Sequence, residues 1–266
     1  MKTRIITGLL AFLLLVAILF SPVVFFEIAL TFVSFAALYE VMKATGLLKN
    51  KPLVFVNFLF SALLMYAFRI SLIISVIMLI SYLFTLFVLM IFYHKNIVIS
   101  DVVTSYFLMI YTVCLLHFII LIRTSEFGLL NVFVLLIGVF ATDTFAYFTG
   151  VSIGKHKLCP EISPKKTIEG SLGGWIGCIL LLFTYGYFLS NFSYEINFAA
   201  LAVFSVVCGG LSQIGDLTAS IIKRYYGIKD YGNLLPGHGG IMDRLDSILL
   251  VSPLLYFFIL YFPIIG

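Results

Sequence analysis

Apolar runs long enough to cross a bilayer follow one another along almost the whole chain, separated by short polar breaks. An α-helix rises about 1.5 Å per residue, so about 20 apolar residues span roughly 30 Å of hydrocarbon. Segments near 5–21, 23–42, 52–68, 70–93, 101–122, 129–150, 171–190, 197–222 and 248–265 meet that yardstick. They predict an all-α polytopic membrane protein with about nine transmembrane helices. The first run follows Lys2 and Arg4, as a signal peptide would. It has no small-x-small cleavage site before the next span, so an uncleaved helix is expected.

The texture of the pattern changes along the chain. Up to about residue 122 the spans are nearly uniform Leu, Ile, Val and Phe with short loops. After about residue 130 glycine enters the spans, ionisable residues appear at helix ends, and two loops lengthen. Long loops in a compact protein are usually functional. The expected organisation is one membrane-embedded domain over 1–266, with 1–128 mainly scaffold and 129–266 the catalytic half.

Composition and charge sharpen this picture. Apolar residues make up 62% of the chain and charged residues 11%, where a soluble domain carries about a quarter charged. With the N-terminus cytoplasmic, Lys2, Arg4, Lys43, Lys49, Lys51, Lys95, Lys155, Lys157, Lys165, Lys166, Lys223, Arg224, Lys229 and Arg244 all fall inside. Of the 16 basic residues only Arg69 and Arg123 then fall outside, the bias that orients membrane proteins. The net charge of +4 reflects this topology and attraction to anionic lipid, not nucleic acid. Cys114, Cys159, Cys178 and Cys208 show no CxxC spacing and read as small hydrophobes, with no disulfide framework or zinc site. Glu40 with Lys43 at i+3 reads as an ion pair at a span end, and His94 and His117 as structural histidines.

Four polar constellations carry the candidate chemistry. In ATDTFAYFTG (141–150), Asp143 lies inside a span, where a carboxylate costs about 2.5–3.5 kcal/mol to insert; it shares a helical face with Tyr147 and Gly150. In GKHKLCPEISPKKTIEGSLGG (154–174), Ser163-Pro164 resembles a helix start, putting Lys165, Lys166 and Thr167 in a first turn suited to phosphate. In GGLSQIGDLTASIIKR (209–224), Ser212, Asp216 and Ser220 form a stripe at i, i+4 and i+8, and Lys223 and Arg224 close the helix. Asp216 is read as a metal-binding carboxylate. In PGHGGIMDRLDS (236–247), glycine-rich backbone carries His238, and Asp243 and Asp246 share a face at i, i+3. Like charges at that spacing want a cation between them, and carboxylates with ligand phosphates suit magnesium.

The segment from Ser220 to Asp246, SIIKRYYGIKDYGNLLPGHGGIMDRLD, resembles the signature of the integral-membrane phosphatidate cytidylyltransferases, the CDP-diacylglycerol synthases. That pattern is met at Ser220, Lys223, Arg224, Lys229, Asp230, Gly232, Pro236, His238, Gly239, Gly240, Asp243, Arg244 and Asp246. The blocks at 143–150 and 162–170 also resemble the family's cytosolic segments. The resemblance implies that CTP and phosphatidic acid give CDP-diacylglycerol and pyrophosphate. It also implies magnesium, alone or with a second cation, a cytoplasm-facing polar cavity in a bacterial inner membrane, and a homodimer. On this footing Asp216, Asp243 and Asp246 are assigned to metal. Lys223, Arg224, His238 and Arg244 are given catalytic roles. Asp143, Ser163, Lys165, Lys166, Thr167, Ser220, Lys229, Asp230, Gly239 and Gly240 are assigned to substrate binding. The competing expectations are CTP-dependent activation or phosphorylation of another lipid, as by polyprenol kinases or archaeal lipid cytidylyltransferases, and, remotely, secondary transport.

Overall fold

The structure, a computed structural model, describes residues 2–234, 237 and 239–266, with side chains from Thr7 onward. Among the described residues the regular structure is helical apart from one small hairpin and an isolated bridge between Ile196 and Ile265. Among the described residues eight helices are long and apolar enough to cross a membrane, and the protein is an integral membrane protein. They are α2 (Val23–Thr45), α3 (Lys51–Ile70), α4 (Leu72–Phe92), the continuous run Ile99–Thr124, α7 (Gly128–Ile153), α8 (Ile168–Ser190), α9 (Phe198–Tyr225) and α10 (Met242–Tyr261). Within Ile99–Thr124, α5 (Ile99–Leu108) passes through a π-helical turn at Met109–Cys114 into α6 (Leu115–Thr124). The ninth expected span rests on α1 (Lys2–Leu19), whose apolar stretch with described side chains, Thr7–Leu19, is shorter than a full crossing. The last helix starts at Met242, a turn and a half before the apolar run at 248 that announced it.

The chain divides into two compact units. One comprises Met1–Ile120 with Tyr226–Arg244, and the other Leu121–Tyr225 with Leu245–Gly266. In the first unit, α2 stops where Gly46 takes φ +80 and its N–H bonds the Lys43 carbonyl, a left-handed cap that glycine adopts without steric cost. Arg69 near the end of α3 pairs with Glu27 near the start of α2 at 3.5 Å. Its interior includes a satisfied polar pair: the Tyr82 hydroxyl donates to Asn57 Oδ1 at 2.8 Å, and Asn57 Nδ2 donates to the Leu53 carbonyl at 2.8 Å. Such interhelical bonds knit apolar helices that have no hydrophobic reason to prefer each other over lipid. His117 is buried and stacks on Phe68 with ring centroids 4.8 Å apart, the structural placement expected of it.

In the second unit α7, α8 and α9 pack on one another through small residues. A Cβ built on Gly174 of α8 would lie 2.7 Å from the Thr142 carbonyl of α7, and one on Gly170 would lie 2.7 Å from the Ala146 carbonyl. The helices therefore approach more closely than any side chain would permit, which is how transmembrane helices gain packing energy. Gly215 of α9 does the same for α10, since a Cβ there would stand 2.5 Å from the Asp246 carbonyl. Phe204 and Phe258 continue that contact with centroids 5.5 Å apart. The hairpin pairs β1 (Lys157–Cys159) with β2 (Ser163–Thr167), with Lys157 opposite Thr167 and Cys159 opposite Ser163.

Substituting Gly174→Val forces branched carbons into the Thr142 carbonyl, an overpacking error that costs about 1–3 kcal/mol. Thermal unfolding of the detergent-solubilised variant is expected to shift down relative to wild type.

Candidate active site

The second unit gathers Asp143 from α7, Lys166 from β2, Asp216 and Lys223 from α9, and Asp246 and Ser247 from α10. Lys166 Nζ lies 2.6 Å from Asp216 Oδ2. Asp143 lies in the electrostatic field of Asp216 and Lys166, with the Ser247 hydroxyl within hydrogen-bonding reach. Asp246 feels Asp216, Asp143 and Lys223 and is buried, with Oδ1 accepting from the Ser247 N–H at 2.9 Å. Three carboxylates thus share one neighbourhood with two lysines. The sequence reading chose each of these acids and both lysines separately; the fold brings them together.

Local structure explains the placement of Lys166 and corrects one expectation. Ser163-Pro164 does not start a helix: Ser163, Lys165, Lys166 and Thr167 form β2. Thr167 is the N-cap of α8, its hydroxyl accepting from the Gly170 N–H at 3.1 Å. Pairing with β1 supplies backbone partners that the local Ser-Pro signal could not anticipate, and a two-stranded hairpin tolerates proline on its edge. Successive strand residues face opposite ways, so Lys165 is exposed while Lys166 turns in to Asp216.

Other residues hold this arrangement that the sequence reading did not select. Glu169 accepts from the Lys155 and His156 backbone N–H groups at 3.1 and 3.2 Å, and its Oε1 lies 2.6 Å from His156 Nδ1. It thereby ties the end of α7 to the start of α8. Arg224 Nε donates to the Ile162 carbonyl at 3.4 Å, linking the end of α9 to the hairpin turn. Gln213 and Ser171 bond reciprocally: the Ser171 hydroxyl donates to Gln213 Oε1, and Gln213 Nε2 donates to the Ser171 carbonyl at 3.0 Å. Gln213 lies one turn before Asp216 on α9. Its signal in the sequence is a lone amide among apolar residues, next to the stripe through Ser212. Ser212 is fully buried, and its hydroxyl has no protein partner among the described residues.

The first unit holds the other polar segment, residues 226–244. Asp243 Oδ2 accepts from the Tyr231 N–H at 2.9 Å and the Gly240 N–H at 3.0 Å. Glu40 on α2 accepts from the Ile241 N–H through Oε1 at 3.1 Å and from the Met242 N–H through Oε2 at 3.0 Å. The expected Glu40–Lys43 ion pair is thus replaced by a cap on the start of α10, because unpaired N–H groups at a helix N-terminus draw a carboxylate. Gly239 adopts φ +86, a conformation open to glycine. Lys229, Asp230 and Arg244 are exposed, and Ser220 in the second unit is half-buried. His238 and Pro236 lie outside the described residues.

Among the described residues no three His, Cys, Asp or Glu side chains stand close enough to enclose a metal ion. The donors present still fit magnesium, which takes one or two carboxylates and completes its shell with water and phosphate oxygens. Asp216 and Asp246 supply such oxygens beside an excess of negative charge. Asp243 already spends one oxygen on two backbone N–H groups.

A polytopic helical membrane protein with acids and lysines concentrated in a polar cluster is the class this fold defines. The sequence model of the cytidylyltransferase family matches residues 2–262, and the chain belongs to that family. It is 43% identical over 149 residues to the phosphatidate cytidylyltransferase of Bacillus subtilis, covering 56% of this chain and 54% of that protein. It is 37% identical over 133 residues to that of Thermotoga maritima, covering 49% of each, and 43% identical over 138 residues to that of Haemophilus influenzae, covering 50% of this chain and 47% of that protein. The matched stretch spans about half the length of these curated relatives.

Replacing Gln213 by Leu removes both bonds between α8 and α9 and leaves the Ser171 hydroxyl unpaired, a loss of about 1–3 kcal/mol. The expected result is a lower unfolding temperature in detergent, while Gln213→Glu, which keeps the acceptor for Ser171, lies between the two.

Proposed function

We propose that the protein transfers CMP from CTP to phosphatidic acid, giving CDP-diacylglycerol and pyrophosphate. The observation that carries this reading is the Lys166–Asp216 pair within the cluster of Asp143, Asp216 and Asp246. It lies in a chain that meets the Ser220–Asp246 pattern and whose relatives bear the name phosphatidate cytidylyltransferase. One substrate is a soluble triphosphate and the other a phosphate anchored in lipid, so the reaction needs a polar site built among apolar helices.

A phosphatidate oxygen attacks the α-phosphorus of CTP; the bond from that phosphorus to the oxygen bridging to the β-phosphorus breaks, and pyrophosphate leaves with the electron pair. The nucleophile is already anionic, so positioning and charge neutralisation matter more than a general base. Lys165, Lys166, Lys223, Arg224 and Arg244 neutralise phosphate oxygens, Lys166 turning from Asp216 to the incoming substrate. The glycine segment with Gly239, Gly240 and His238 lines the nucleotide, with Lys229, Asp230 and Ser220 contributing around it. Asp143 orients groups through Ser247. Asp216 and Asp246 would hold magnesium, which supplies charge neutralisation on the triphosphate when bound. The site faces the cytoplasm of a bacterial inner membrane, where CTP is available, and the protein acts as a homodimer.

The test uses purified protein in detergent with phosphatidic acid and CTP. Label on the α-phosphorus is expected in the lipid product and label on the γ-phosphorus in pyrophosphate, with product formed only when a divalent cation is supplied. Transfer of γ-label to lipid instead identifies a kinase and overturns the assignment. Asp216→Asn and Asp246→Asn are each expected to lower kcat by about 100-fold or more, with thermal unfolding showing that the fold persists. Near-wild-type turnover in both would remove them from the site.

A further inference from the structure

The geometry points to Glu40, on a helix remote in sequence from every residue of the proposed site, as the positioning residue for the glycine segment and the start of α10. Glu40 is 2% exposed, so its carboxylate is removed from solvent and must be satisfied internally. Its two oxygens each take one N–H from consecutive residues, Ile241 and Met242. Those N–H groups belong to the end of the glycine segment and the first turn of α10, which has no local Ser, Thr, Asp or Asn side chain placed ahead of it to cap them. Glu40 therefore acts as an N-cap supplied from another helix.

The surroundings are shaped to the carboxylate. A Cβ on Gly232 or on Gly240 would run into the Glu40 carboxylate itself. Gly232 and Gly240, two of the thirteen signature positions, thus have a steric reason that does not depend on substrate: they leave room for this acid. Asp243 adds a second latch, closing Tyr231 and Gly240 onto the same segment. Lys229, Asp230, Gly239, Gly240 and Arg244 all lie on backbone held by these two acids.

A bidentate acceptor is what the site demands. Glutamine keeps one oxygen but presents an NH2 group to the second N–H, replacing a bond by a donor facing a donor. Glu40→Gln is therefore a sharper probe than its small change in shape implies, and it keeps the buried volume. The role inferred for Glu40 rests on the proposed use of this segment to bind CTP.

The experiment pairs hydrogen–deuterium exchange with steady-state kinetics on the full chain in detergent. In Glu40→Gln the amides of residues 239–243 are expected to exchange roughly tenfold faster or more, as local opening becomes easier. The KM for CTP is expected to rise about tenfold, with kcat falling less, the signature of lost binding rather than lost chemistry. Gly240→Ala, which pushes a methyl into the same carboxylate, should open the same amides, and the double variant should add little because both break one contact. Glu27→Gln, on the same helix but paired with Arg69, should match wild type in exchange and kinetics. Unchanged exchange at 239–243 in Glu40→Gln overturns the cap. Faster exchange with an unchanged KM for CTP overturns the positioning role. Exchange is measured without turnover, so a wild-type protein that transferred no CMP would count against the nucleotide reading while the cap is still read directly.

Discussion

Backbone that leaves the helix inside a chain this apolar must still find partners for its N–H groups. In lipid the helix solves the problem within itself, and each unsatisfied polar group elsewhere costs several kcal/mol. The two non-helical polar segments meet this demand in the same way, with carboxylates. Glu40 and Asp243 accept four N–H groups around residues 231–242. Glu169 accepts those of Lys155 and His156 at the entrance to the hairpin. The glycines that surround Glu40 follow from the same requirement, since an acid brought that close to backbone leaves no room for a Cβ.

Once the loops are held by acids, the lysines are left to meet the other acids. β2 alternates its side chains, so one of two adjacent lysines is turned inward, and it meets Asp216 at 2.6 Å. The glycine at 215 brings α9 against the Asp246 backbone, so the carboxylate next along α9 comes into the field of Asp246. Gln213, one turn earlier, fixes α9 against the start of α8. The cluster is thus set by helix packing and by a single amide clamp, and its charges follow. An ion pair of partly exposed groups contributes little to stability by itself, so the Lys166–Asp216 contact is better understood as electrostatic preparation of a site than as a fastening.

The helices were legible because length and apolarity suffice to mark a span, and the acids of the cluster because a carboxylate within such a span has few reasons to be there. What could not be seen was anything that depends on a partner distant in sequence. Ser163-Pro164 carries the local signs of a helix start, and the fold overrides them by pairing β2 with β1. Glu40 has Lys43 one turn away as a local match, whereas its partners lie some two hundred residues on. Asp243 and Asp246 looked equivalent at i, i+3. The structure separates their duties, one bonding Tyr231 and Gly240 and the other buried with its Oδ1 on the next N–H of its own helix. Periodicity gives the face of a residue, not the groups that will come to meet it.

The division of labour among the acids is itself an argument about where chemistry resides. Glu27 answers Arg69, Asp101 accepts from the Val98 N–H at the start of α5, Glu169 answers His156 and two backbone groups, and Glu40 and Asp243 hold a loop. Each of these has a partner that explains it as structure. Glu40 also lies in the field of Asp243, but the oxygens of that pair are taken up by backbone N–H groups; Asp143, Asp216 and Asp246 are three carboxylates gathered together. Like charges gathered among apolar helices oppose folding, and lysines relieve that only in part. Such a grouping persists when something outside the fold, a cation or a phosphorylated substrate drawn to the lysines, gives it a use. The five acids named first can be read as architecture; these three are where the architecture stops sufficing as an explanation.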